Sequence, residues 1–103
     1  EQLQNLQRIS RLVSAKTLTS ILSEAQIPAK LDLLVLDVEG YELNVLKGLD
    51  FNQYRPEYIL LEESGSDKTS YFLEQQGYTQ ISILNQRTHT RDILYQDQRC
   101  TEF

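Results

Sequence analysis

The sequence predicts an α/β domain: a mostly parallel sheet, finished by an antiparallel hairpin and flanked by helices. Three observations predict it. Apolar runs too short for helices, at 31–38 and 58–62, alternate with segments of helical spacing. The first run is apolar on both faces, the pattern of a strand covered from each side. Two further runs, Tyr78 to Leu84 and Ile93 to Tyr95, flank the polar loop Asn85 to Thr90, as a hairpin would. Strands alternating with helices imply right-handed crossovers and parallel pairing.

Each element has a local cause. Leu3, Leu6, Ile9, Leu12 and Val13 form one stripe at helical spacing, with Arg8 and Arg11 on the wet side. A second helix is expected over Leu18 to Ala25, with Thr17 or Thr19 as hydroxyl N-cap and Pro28 forbidding continuation. In the run 31–38, Leu34, Leu36 and Val38 would face one way, Leu33 and Val35 the other. Burying a Leu-sized side chain is worth about 1.5–3 kcal/mol, so neither face should be left wet. Tyr41 to Lys47 reads as a short helix closed by Gly48 in the left-handed C′ position. Tyr58 to Glu62 is the second strand, entered through Arg55-Pro56. The turn Ser64 to Asp67 supplies an N-cap to a helix from Lys68 to Gln76, which buries Tyr71 and Phe72 and is stopped by Gly77.

Composition narrows the function. At 103 residues and 12.0 kDa the chain has room for one core, so 1–103 is read as a single domain. Ten Lys and Arg against fifteen Asp and Glu give a net charge of −5, which disfavours nucleic acid as partner. The longest uninterrupted apolar stretch, Leu33 to Leu36, is four residues, against roughly 20 for a membrane helix. A lone cysteine, Cys100, suits a reducing compartment, and a cytoplasmic location is expected. The chain contains no Met at all, which reads as a piece of something longer.

In an open α/β sheet, ligands bind at the carboxyl ends of the strands. Both of the first two strand ends are acidic: Asp37 and Glu39 followed by Gly40 at one, Glu62 and Glu63 at the other. Adjacent parallel strands would bring these carboxylates to one rim. The plainer alternative makes Asp37 a cap for the following helix and Glu63 a solvated loop charge. The single histidine, His89, lies in a polar loop, and no metal is assigned.

The stretch Leu31 to Gly48, with Asp37-Val38-Glu39-Gly40-Tyr41-Glu42 at its centre and Leu46-Lys47-Gly48 at its end, resembles the signature of the FkbM family of S-adenosylmethionine-dependent methyltransferases. Thr17-Leu18, Ile21-Leu22, Arg55-Pro56, Ile59 to Glu62, Phe72-Leu73 and Gly77-Tyr78 extend the similarity from about Thr17 to Thr79. Thr19 departs from the family, which often has Asp there. The resemblance implies a Rossmann-like class I methyltransferase sheet of which this chain supplies the fourth to seventh strands. The cofactor, S-adenosylmethionine, would be held mainly by the first two strands, outside this chain, so no cofactor-binding residue is named. Asp37, Glu39 and Glu62 are the expected catalytic residues, with Gly40 and Tyr41 at the substrate lip. Asp37 would take or orient the acceptor's proton, Glu39 would orient substrate or close the turn, and Glu62 would complete the rim. The acceptor would be a small molecule or glycan, methylated on oxygen, and the piece alone would be inactive.

Two other classes fit parts of the sequence. A receiver domain also ends an apolar strand in Asp, but it needs an acidic pair before Leu31 and a Lys-Pro near the end, and both are missing. A non-catalytic module that self-associates is the stronger rival. With no strand on its far side, the 33–38 strand would offer an apolar edge to a second copy, unless the Leu3 to Val13 helix folds over it.

Overall fold

The computed structural model of the chain describes residues 16–65 and 67–101. Helix α1 spans Leu18–Glu24, strand β1 Lys30–Leu36, helix α2 Glu42–Lys47, strand β2 Arg55–Glu63 and helix α3 Lys68–Gln75. Strands β3, Tyr78–Gln86, and β4, Arg91–Asp97, complete the sheet, and a 3-10 turn follows at Gln98–Thr101. The helix expected over Leu3 to Val13 lies outside the described residues.

The four strands run in the order β1-β2-β4-β3. β1 and β2 are parallel, whereas β4 is antiparallel to both β2 and β3. The sheet is therefore mixed rather than mostly parallel. The expected hairpin forms, but its second strand inserts beside β2 and leaves β3 at the margin. β4 does so because Ile93 and Tyr95 complete the core between Leu61 and Ile59 on one side and β3 on the other.

The core lies on one side of the sheet. Leu36, Ile59, Leu61, Ile93 and Tyr95 pack there against Leu46 of α2 and Leu73 of α3, with Leu18 and Leu22 of α1 at its border. The opposite face carries Leu33 and Val35, in register with Tyr58 and Leu60. These two aliphatic side chains are 53% and 56% exposed, which corrects the expectation of a strand covered on both sides. The pattern correctly predicts apolar side chains on both faces; among the described residues, however, all three helices dock on the same one.

Local differences have local reasons. Thr17 is the N-cap of α1, its hydroxyl accepting from the Ser20 amide at 3.1 Å. Thr19 serves elsewhere: its hydroxyl donates to the Gly48 carbonyl at 2.9 Å and accepts from the Asp50 amide at 2.7 Å, fastening α1 to the end of α2. Gly48 is not left-handed, with φ −87°. Its value is space, because a Cβ there would stand 3.3 Å from Cβ of Thr17. Strand β1 stops at Leu36, so Val38 lies beyond it. Asp67 occupies the N-cap position of α3 without a side-chain cap bond, and Tyr71 is exposed while Leu73 is fully buried. Gly77, at φ 92°, ends that helix as expected.

Buried charge locks the amino end of β2. The Arg55 guanidinium donates to both carboxylate oxygens of Asp97 at 2.8 Å and to the Gln76 carbonyl, and lies over the Tyr78 ring. Asp97 is fully buried. A bidentate pair of this kind ties the start of β2, the end of β4 and the α3–β3 turn into one unit.

Candidate functional site

Register decides what meets at the carboxyl end of the sheet. Leu36 is paired with Leu61 across the parallel β1–β2 ladder, so the next residues along, Asp37 and Glu62, arrive at neighbouring positions. Both line a shallow cavity of about 140 Å³, together with Arg87 and Asp92. Two of the expected acids thus share one rim.

The β3–β4 hairpin bends over that rim. It is closed by the Arg87 amide donating to the Thr90 carbonyl at 2.7 Å. Arg87 then reaches Glu62 at 3.2 Å through Nη1 and Asp92 at 3.2 Å through Nη2. Its hydrogen bond with Asp92, and then the charges of Asp92, Glu62 and Asp37, hold the guanidinium above its ordinary value. Arg87 is therefore the cation around which three carboxylates gather. In the sequence it is one residue of the polar loop Asn85 to Thr90, with no role expected of it. The usable signal was the hairpin itself, since a four-residue loop from Arg87 to Thr90 brings Asp92 back beside Arg87.

The turn after β1 is strained and braced. Glu39 and Gly40 have φ of 47° and 96°, so two consecutive residues are left-handed. Gly tolerates this freely, whereas a non-Gly residue there costs about 1–2 kcal/mol. Glu42, only 4% exposed, provides the compensation. Its two carboxylate oxygens accept from the amides of Val38 at 3.1 Å and Gly40 at 3.0 Å. The capping alternative for Asp37 fails on position, because the N-cap of α2 is Tyr41, four residues farther along, and no side-chain hydrogen bond caps that helix. Among the described residues, no hydrogen bond holds the Asp37 carboxylate, and it is exposed at the lip. Glu39 is exposed as well. Gly40 lines a second cavity, of about 160 Å³, with Glu42, Glu62 and Glu63. Tyr41 is directed elsewhere, into a groove between α1 and α2 that it shares with Ile21 and Val45.

Glu63 overturns the reading of a solvated loop charge. Side chains alternate along a strand, so Glu62 and Glu63 face opposite sides of the sheet. Glu62 meets Arg87 on the open side. Glu63 turns to the helix-covered side, is 4% exposed, and accepts from the Tyr95 hydroxyl at 2.8 Å and from Arg91 at 3.5 Å. Burial first of all, with the Glu63 contact adding to it, pushes the Tyr95 hydroxyl far above the usual tyrosine range. Among the described residues, no group of three His, Cys, Asp or Glu side chains is arranged as metal ligands.

An acidic rim at the ends of two parallel strands, entered through an Asp-Val-Glu-Gly turn, is the arrangement the sequence motif implied. The Methyltransferase FkbM domain description matches residues 3–96 of the 103. The chain belongs to the FkbM methyltransferase family. No curated protein and no solved structure matches it. In this FkbM domain the matched region includes the whole rim, Arg87 and Asp92 among it. It also includes Glu42, whose bracing of the turn was legible only as an acid in the first turn of a helix. No described helix of this FkbM domain is long and apolar enough to cross a membrane.

Proposed function

We propose that this domain forms the acceptor-facing half of an S-adenosylmethionine-dependent O-methyltransferase, with a small-molecule or glycan acceptor. The observation that carries the proposal is the Leu36–Leu61 register, which delivers Asp37 and Glu62 to one lip beneath Arg87. A hydroxyl seated there has Asp37 free to accept its proton as it is methylated. Glu62, held by Arg87, and the Glu39–Gly40 turn would fix the acceptor's position, and alignment is the protein's main contribution to a displacement of this kind. Gly40 leaves the lip clear, since nothing lies within 4 Å of where its Cβ would be.

S-adenosylmethionine would supply an electrophilic methyl group. The described residues fit it only in part. Their carboxylates suit a cationic sulfonium, but the two closest glycines, Gly40 and Gly48, stand eight residues apart, and no Gly-rich turn opens at a strand end. The cofactor cradle would then lie on strands that add to the edge of β1 left without a partner among the described residues. The four strands would then be the fourth to seventh of a Rossmann-like sheet, and the 103-residue chain alone would be inactive.

Calorimetry tests this directly. The 103-residue chain should show no micromolar affinity for S-adenosylmethionine; tight binding would refute the division of labour. A second reading, self-association without catalysis, is favoured by the β1 edge, which has no partner strand among the described residues, beside exposed Leu33 and Val35. It predicts a homodimer through the 33–38 edge.

A further inference from the structure

We infer that the groove between α1 and α2 is the seat of the chain's own amino-terminal apolar stripe, with Leu12 and Val13 filling it. This seat is independent of the proposed methyl transfer. The groove is a cavity of about 370 Å³ walled by Leu18 and Ile21 of α1 and by Tyr41 and Val45 at α2. Leu18 and Val45 rest against the core, while Ile21 and Tyr41 stay 50% and 62% exposed. Aliphatic side chains entering it exchange water for apolar walls, which is favourable in proportion to the area covered.

The start of α1 is built to receive such a cover. Thr17 is the N-cap, so Ile21 stands at the fourth helical position, where an apolar residue just ahead of the cap commonly packs. Lys16 occupies that preceding position, and its ammonium is turned to Glu24 at 2.8 Å. The nearest apolar residues upstream of it are Ala15, Val13 and Leu12.

Reach selects the occupant. Lys16 and Thr17 themselves line the groove. Thr17 is extended, at φ −74° and ψ 159°, so the chain leaves the axis of α1 there. Val13 is three residues ahead of Lys16, within roughly 11 Å of it even along a straight chain. A segment tethered this closely meets the groove at an effective concentration of about millimolar or more, which a second copy in dilute solution does not match. The region matched to the family starts at residue 3, so the stripe Leu3, Leu6, Ile9, Leu12 and Val13 is part of the same domain.

The seat also gives Tyr41 a role in place of the substrate lip. Tyr41 lies between Gly40 and Glu42, so a segment packed on Tyr41 and Val45 ties the stripe to the helix that carries the Glu42 brace.

The test is a methyl NOE experiment on the full 103-residue chain, mixing labelled and unlabelled chains to separate contacts within a chain from those between chains. The expected result is intrachain contacts from the Leu12 and Val13 methyls to Ile21, Val45 and the Tyr41 ring. A double-mutant cycle in urea gives a second readout. Val13→Ala and Ile21→Ala should each lower the folded-to-unfolded ratio, and together by about fivefold less than the product of the two effects. Ile21 is half-exposed, so its truncation leaves the core intact. Contacts only between chains, contacts from the stripe to Leu33 and Val35 instead, no contact at all, or strictly multiplicative effects would each overturn the inference.

Discussion

Glu42 reaches back over its own helix start to Gly40, one carboxylate oxygen accepting the Gly40 amide at 3.0 Å while the other takes Val38 at 3.1 Å. A buried carboxylate thus holds open a left-handed turn that the backbone would otherwise resist. Glu42→Gln keeps the size but turns a side-chain amide NH2, a donor, toward one of the two backbone N–H groups. It should cost about 1–3 kcal/mol, read as a lower urea midpoint. Gly40→Ala meets no neighbour, so its cost should be the backbone strain alone, about 1–2 kcal/mol.

Asp97→Asn should be more damaging. Arg55 and Asp97 are largely buried together, with side chains 17% and 0% exposed. Removing one partner of a buried pair costs about 3–5 kcal/mol, much of a small domain's total stability. Circular dichroism at 25 °C should show a partly unfolded population, and an intact thermal transition would count against the pair as the clasp of β2.

Asp37→Asn separates chemistry from folding. The carboxylate is exposed and makes no hydrogen bond among the described residues, so melting should be unchanged. In a methyltransferase assembled as proposed, methyl transfer should fall by about 10²–10⁴-fold, the usual contribution of a positioned base. Unchanged turnover would remove Asp37 from the reaction.

Tyr95 predicts the alkaline limit of stability. Its hydroxyl titrates higher folded than unfolded, so the folded state retains a proton that the unfolded chain releases from about pH 10. The contribution is complete below that pH and is lost progressively as pH rises toward the folded value. Tyr95→Phe should flatten the decline of unfolding free energy above pH 10, while giving up the hydrogen bond to Glu63 at all pH values.

Pairing through β1 should depend on concentration. A strand edge that has no partner among the described residues, beside Leu33 and Val35, is an invitation to a second copy. Val35→Lys places a charge at an exposed position next to it, and should lower any dimer fraction seen by sedimentation without changing the monomer fold.

Short apolar runs between helical segments and the Asp-Val-Glu-Gly turn made the family, the two parallel strands and the shared rim of Asp37 and Glu62 readable from residues alone. These are local patterns, set by which side chains recur and where glycine permits a positive φ. The roles of Glu63 and Thr19, and the reach of Arg87 to Glu62, were not readable, because each depends on a partner 25 to 32 residues away. The sequence determined that β1 is apolar on both sides and ends in acid. Only the tertiary structure decided which side the helices would cover, that β4 would lie beside β2, and that Arg87 would hang over the lip. The physical reason is that alternation assigns side chains to faces without saying which face is dry, and burial depends on the docking of distant elements.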